Sequence, residues 1–424
     1  MSTICAISTA KGGAIGIIRT SGPDAIRITD AIFQGKHSLT EAKPYTIHFG
    51  EIRDNDILID EVLVSVFHAP HSYTGENSTE ISCHGSAYIL QRIIELLLKH
   101  GCTMAQPGEY TQRAYLNGKM DLCQAEAVAD LIASQNASPH KIARQHMKGG
   151  YSTKLKELRN RLLEMTSLLE LELDFSEEDV EFADRQKLIQ LAEKIHLEIE
   201  RLTNSFHLGN AIKNGVPVAI IGAPNVGKST LLNALLRDDR AIVSDIQGTT
   251  RDIIEDTITL HDTTFRFIDT AGIRNTTDTI EQMGIERSIK AAQKAQIILL
   301  MTEPGVDFPD IPIRQDQTVI RIINKTEHFQ ALNNIGIQKL EEQLIAAVPH
   351  DNNTLLVTNI RHFEALTKAN TDIQRAHEAL MLNISGDLVA EDLRQCLIHL
   401  GEILGQITSD EVLSNIFSHF CIGK

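Results

Sequence analysis

The chain has 424 residues, 42% of them hydrophobic, and a formal net charge of −16. It carries no run of about 18 or more apolar residues, so no membrane-spanning helix is predicted. Such acidity argues against an obvious nucleic-acid binder, because phosphate contacts need local positive charge; RNA contact would require a local basic patch or a partner that supplies one.

The N-terminal Met1-Ser2-Thr3-Ile4-Cys5-Ala6 lacks a basic region followed by a long apolar one, so no signal peptide is expected. Cys5, Cys83, Cys102, Cys123, Cys396 and Cys421 are scattered with no C-x-x-C pair. That fits reduced thiols in a cytoplasm and argues against structural zinc.

In chain order, Ala14-Ile15-Gly16-Ile17-Ile18-Arg19 and Glu61-Val62-Leu63-Val64-Ser65-Val66-Phe67 read as strands. Tyr88 to His100 is amphipathic and stops at Gly101, which predicts a helix. Residues 1–118 therefore read as a small α+β domain. Residues 119–213 read as helices. Leu155, Leu158, Leu162, Met165 and Leu169 form an a/d seam, and Leu188, Leu191, Ile195, Ile199 and Leu202 form a second apolar face. Between them, Ser176 and Asp179 fit a capping box. Residues 214–350 alternate strand and helix signals. Residues 351–424 return to helix, with Leu393, Leu397, Leu400, Leu404 and Ile407 continuing one seam. The expected fold is multidomain α/β plus α. Residues 119–213 and 351–424 build one helical domain, and 214–350 form an inserted, mostly parallel sheet with helices on both faces.

Gly222-Ala223-Pro224-Asn225-Val226-Gly227-Lys228-Ser229 reads G-x-x-x-x-G-K-S. The apolar Val216-Pro217-Val218-Ala219-Ile220-Ile221 precedes it and a helix-like run from Thr230 to Leu236 follows. A glycine-rich loop between strand and helix turns backbone N–H groups toward phosphate oxygens. Lys228 is expected on the outer phosphates and the Ser229 hydroxyl on magnesium. Asp269-Thr270-Ala271-Gly272 follows a strand-like run; it puts Asp269 behind the magnesium and a Gly272 amide near the γ-phosphate. Asn324-Lys325-Thr326-Glu327 resembles the N-K-x-D guanine reader, with glutamate where aspartate is usual. No clear S-A-K motif follows; Ala331-Leu332-Asn333-Asn334 lies where one is expected.

Asp245-Ile246-Gln247-Gly248-Thr249-Thr250-Arg251-Asp252 fits a first switch, with Thr250 completing the magnesium sphere. Ile273 follows Gly272 where a water-orienting glutamine is often found, and isoleucine cannot do that work. Glu281 is the acidic candidate, although taken alone it reads better as a solvated surface carboxylate. Asn225 offers an amide oxygen for a monovalent cation, which would stand where an arginine finger otherwise neutralises charge.

Together these residues resemble the MnmE/TrmE family of tRNA-modification GTPases, over essentially the whole chain. Ser72-Tyr73-Thr74-Gly75-Glu76, Pro107-Gly108-Glu109-Tyr110-Thr111, Leu116-Asn117-Gly118-Lys119-Met120-Asp121-Leu122 and Phe420-Cys421-Ile422-Gly423-Lys424 match its signatures outside the GTPase core. The resemblance implies GTP hydrolysis in a cytoplasmic protein that modifies C5 of the wobble uridine of certain tRNAs. It further implies work with an FAD-dependent partner, GidA/MnmG, in a heterotetramer.

An N-terminal domain that homodimerises and binds a 5-formyl- or methylene-tetrahydrofolate one-carbon donor is also implied, with Arg19, Glu80, Lys119 and Lys424 at the folate. GTP contacts carry over to Asn225, Val226, Gly227, Lys228, Ser229 and Thr230. They extend to Ser244, Asp245, Ile246, Gln247, Gly248, Thr249 and Thr250, to Asp269 through Gly272, and to Asn324, Lys325 and Glu327. Potassium falls to Asn225, Ser244, Ile246 and Thr249, and water activation to Glu281. For Cys421, a catalytic or redox thiol and a buried structural thiol both stand. Two other readings remain: a regulatory ribosome-assembly GTPase, and a folate-binding scaffold with a weakened G domain. The family-like N-terminal domain and the cysteine ending argue against the first.

Overall fold

The structure, a computed structural model, describes residues 2–10, 12–174, 185–237, 256–268, 289–314, 317–348 and 355–423. The chain divides into two compact units. One comprises Met1–Ile132, Gln145–Asn160 and Leu397–Lys424; the other comprises Ala133–Arg144 and Arg161–Cys396.

The first unit is organised by a seven-stranded sheet. Its strands are β1 (Ile4–Ile7), β2 (Ile15–Ser21), β3 (Phe33–Gly35), β4 (Thr46–Asp54), β5 (Ile57–Phe67), β6 (Ser78–His84) and β7 (Thr103–Met104). Their order is β3-β4-β5-β6-β2-β1-β7, antiparallel throughout except β1 with β7. Helices α1 (Ala25–Ile32) and α2 (Ala87–Lys99) cover one face. Ile28, Ile32, Ile93 and Leu97 from these helices close on Val62, Val64, Val66 and Ile81 of the sheet. Alternation in β5 from Asp60 onward produces this: Asp60, Val62, Val64 and Val66 are buried and the residues between them are more exposed. β5 begins earlier than the Glu61 read from sequence.

The outward face carries two cross-strand rows, Ile47–Ser65–Glu80–Arg19 and Phe49–Leu63–Ser82–Ile17. Ile47, Phe49 and Leu63 there are 66%, 65% and 47% exposed. The unit continues with α3 (Glu109–Leu116) and α4 (Leu122–Ala133).

Four helices follow: α5 (Ala137–Met147), α6 (Gly150–Asp174), α7 (Arg185–Asn204) and α8 (Phe206–Asn214). Leu155, Leu158, Leu162, Met165 and Leu169 are all buried along α6, as the seam predicts. On α7 the expected stripe needs one correction. Leu191 is only half-buried, and Ala192 takes the core position beside Leu188 and Ile195. The buried Leu188, Ala192, Ile195, Ile199 and Leu202 keep a 4-3-4-3 spacing, which the step of three from Leu188 to Leu191 breaks. The Ser176/Asp179 capping box lies outside the described residues.

The second unit contains a five-stranded sheet of β8 (Val216–Gly222), β9 (Asp256–Leu260), β10 (Thr263–Phe267), β11 (Ile297–Thr302) and β12 (Thr318–Ile323). The order is β12-β11-β8-β10-β9, parallel except for the β9–β10 hairpin. Helices α9 (Lys228–Arg237) and α10 (Ile337–Ala346) bring Leu231, Leu235, Leu340 and Leu344 against Val218, Leu299 and Met301. On the other face Ala219, Ile221, Ile298 and Leu300 meet Ala291, Ala292 and Ala295. Cover on both faces explains why β8 and β11 are almost uninterrupted apolar runs.

The last helices are α11 (Ile360–Met381), α12 (Gly386–Leu404) and α13 (Asp410–Ser418). α11 lies along α7 and buries Leu366, Ala369 and Ile373. The tail seam stops sooner than its spacing suggests. Gly405, at φ +77°, ends α12, and Ile407 falls beyond it, 46% exposed. α13 seats Leu413 and Phe417 against Leu122 and Ala125 of α4.

A candidate phosphate-binding loop and an arginine-centred cluster

The loop 222–228 joins the end of β8 to the start of α9. Asn225 and Gly227 sit at φ +61° and +95°, and Val226 between them is buried. Such a backbone turns successive N–H groups into a concavity suited to an anion. A β-carbon on Gly227 would lie 2.4 Å from the Asn324 amide nitrogen, so close approach as well as φ demands glycine. The Lys228 ammonium donates to the Gly222 and Ala223 carbonyls, both at 2.8 Å. Burial lowers its pKa below the ordinary lysine value.

β12 delivers Asn324 and Lys325 to the back of this loop. Asn324 is buried; its amide nitrogen donates to the Val226 carbonyl at 2.8 Å, and its oxygen accepts from the Ala331 N–H at 3.1 Å. Lys325, at φ +63°, donates to the Asn225 carbonyl at 3.4 Å and pairs with the Glu303 carboxylate. Two loops far apart in sequence are thereby fastened together. Glu303 and Ala331 were not singled out from sequence, since only the tertiary arrangement brings them here. Glu327 is exposed. Ser244, Asp245, Ile246, Gln247, Gly248, Thr249, Thr250, Asp269, Thr270, Ala271, Gly272, Glu281 and Lys424 lie outside the described residues.

In the first unit, Arg19 on β2 donates to Glu80 on β6 from Nε at 2.9 Å and Nη2 at 2.7 Å. Its guanidinium carbon lies 5.7 Å from the ring centres of both Tyr73 and Tyr110. Tyr110 donates to the Arg19 carbonyl at 2.7 Å, and the Tyr73 hydroxyl meets Thr111 at 2.9 Å. Burial pushes both phenols above the ordinary tyrosine pKa.

Lys119 donates to the Pro70 carbonyl at 3.0 Å and flanks Gly75, so Arg19, Glu80 and Lys119 gather around the 70–76 loop. Beneath them Arg113, absent from the sequence candidates, binds Glu76 and Glu109 and donates to the Ser2 carbonyl. The chain's tail docks on the same unit. The Cys421 carbonyl accepts from Gly108 N–H at 3.4 Å, and the Gly423 carbonyl accepts from Ser8 Oγ at 3.3 Å. Cys421 is exposed, which corrects the buried-thiol alternative; the other five cysteines are buried.

A parallel sheet, a glycine loop closed by its own lysine and an Asn-Lys clamp at its back define the class. This is a multidomain α/β protein with a phosphate-binding loop. The family profile "GTP-binding protein TrmE N-terminus" matches residues 3–119, and "MnmE helical domain" matches residues 122–421. A tRNA modification GTPase MnmE of Bacteroides fragilis (strain YCH46) is 54% identical over 461 residues, covering 100% of this chain and 99% of that protein. One of Bacteroides thetaiotaomicron is 53% identical, and one of Flavobacterium johnsoniae 47%, each covering 100% of this chain and 99% of the relative. The chain belongs to the MnmE/TrmE family.

Proposed function

We propose that the chain hydrolyses GTP in the course of modifying C5 of the wobble uridine of tRNA, in the cytoplasm, with the FAD-dependent GidA/MnmG partner in a heterotetramer. The observation that carries this reading is the clamp in which Asn324 and Lys325 hold the Asn225–Val226 turn beside Lys228. We read three domains: 1–118; 119–213 with 351–424; and an inserted GTPase domain at 214–350. The helical-domain match running from 122 to 421 supports the insertion.

Lys228 would neutralise the outer phosphates, and the loop amides would fix their orientation. Magnesium suits the hard hydroxyl oxygens of Ser229 and Thr250, and when bound it supplies neutralisation of phosphate charge. Asn225, exposed at the loop's turn, would supply with Ser244, Ile246 and Thr249 the neutral oxygens that suit potassium. Glu281 would orient the attacking water through a bridging water, and G-domain dimerisation would complete the cation site.

In the first unit the Arg19–Glu80 pair would meet a folate with an edge of both donor and acceptor. Lys119 and Lys424 suit its glutamate tail, and Tyr73 offers a ring face. Exposed Ile47, Phe49 and Leu63 beside the pair support homodimerisation through this sheet face. Cys421, exposed in the same unit, is available for chemistry.

The test is hydrolysis of GTP in potassium and in sodium, by wild type and Glu281→Ala. Potassium-stimulated turnover lost in the variant is expected. Turnover indifferent to the cation would remove the potassium site from this reading. Nucleoside analysis of tRNA from a deletion strain then separates modification from ribosome assembly: C5-modified wobble uridine should disappear.

A further inference from the structure

Guanine and adenine share the N7 acceptor and differ along the rest of the edge. Guanine offers O6 as acceptor and N–H donors at N1 and N2; adenine offers a donor at C6 and an acceptor at N1. A pocket therefore tells them apart only through groups facing that second edge. It does so strongly only when those groups are buried and left unpaired by the wrong base.

The base side of this loop has no such groups to spare among the described residues. Asn324 spends one amide hydrogen on Val226 and its oxygen on the Ala331 N–H, leaving a single donor suited to N7, the atom both purines share. The segment where a main-chain reader of O6 is expected is closed on itself. The amide of Ala331 goes to Asn324, and those of Gln330, Asn333 and Ile335 all donate within the 330–335 turn. Residues 324–336 lead straight from β12 to α10 around the short 3₁₀ turn Ala331–Asn333, and no further strand follows β12 in this sheet among the described residues. The one acidic candidate, Glu327, is exposed beside a turn closed by Thr326 and Phe329. A solvated carboxylate loses little when the base gives it nothing.

We propose that this site holds a purine nucleoside triphosphate by its phosphates, N7 and the Lys325 stem, and tolerates adenine as well as guanine. This rests on the nucleotide-site reading above. The expected GTP-over-ATP preference is at most on the order of 10²-fold, against the 10⁴-fold or more of a site with buried base readers.

The test is displacement of a fluorescent GTP analogue from the full chain by GTP, ITP and ATP, each with magnesium. ITP should match GTP within about threefold, and ATP should displace within about 10²-fold. Glu327→Ala should shift GTP and ATP alike, changing their ratio less than about threefold. An ATP affinity weaker than GTP by more than 10²-fold overturns the proposal. So does a GTP/ATP ratio that falls about tenfold or more in Glu327→Ala. If no nucleotide displaces the probe, or the probe does not bind, the nucleotide site itself is refuted, an outcome distinct from strict guanine selection.

Discussion

Arg113 is a heavily committed side chain in the first unit, and replacing it with methionine tests whether the N-terminal signatures act as one network. Its side chain is 4% exposed and lies between Glu76 and Glu109, themselves 14% and 19% exposed. It donates to Glu109 at 2.7 Å, to Glu76 at 3.1 Å and to the Ser2 carbonyl at 2.8 Å. Methionine keeps much of the volume but leaves two carboxylates facing each other with no cation between them.

Removing one partner of a buried pair costs about 3–5 kcal/mol. Here the carboxylates keep other donors, Ser21 Oγ to Glu76 at 2.7 Å and Gln106 N–H to Glu109 at 2.8 Å, which favours the lower end. A loss of about 3 kcal/mol in a unit of this size lowers its melting temperature by about 6–12 °C. Calorimetry on the full chain reads this as a shift in the first unit's transition, with the second unit's transition in place. Arg113→Lys should fall between, since one ammonium cannot fork to two carboxylates. A shift below about 2 °C for Arg113→Met would refute the idea that the guanidinium holds these loops together.

Gly227→Ala should weaken binding of a fluorescent GTP analogue by about tenfold or more, because a β-carbon 2.4 Å from the Asn324 nitrogen displaces the clamp and left-handed backbone strain adds about 1–2 kcal/mol. Gly305→Ala is the matched control: its φ is +81°, but its β-carbon meets nothing within 4 Å, so binding should be unchanged. A thiol reagent at pH 8 should modify one cysteine quickly, Cys421, and the remaining five only on unfolding. Burial pushes Cys83 up to about 11, so it stays protonated and unreactive there. Persistence of the fast phase in Cys421→Ser would contradict that assignment.

What the sequence disclosed depended on how local the determinant is. The Gly222–Ser229 loop was legible because its function resides in consecutive backbone geometry. The alternation of β5 and the α6 seam were legible because each buries one face. Arg113, Glu303 and Ala331 were not, since they matter only through residues brought near by the fold, such as Glu76, Lys325 and Asn324. The errors were of phase and ending. Ala192 replaces Leu191 because the 4-3-4-3 stripe from Leu188 falls on it, and Gly405 ends a helix whose apolar spacing runs on to Ile407. Cys421 was ambiguous because exposure of a thiol near a chain's end is decided by docking, not by spacing.

The discontinuity of the first unit has a consequence for how the molecule is made. Its core cluster of Leu122, Ala125, Leu413 and Phe417 draws on stretches separated by the entire second unit. During vectorial synthesis, the ribosome releases every strand of the phosphate-binding sheet before α13 emerges. The α4 flank of the first unit must therefore wait for α13 until the second unit has been made. The first unit is begun before the second and completed after it.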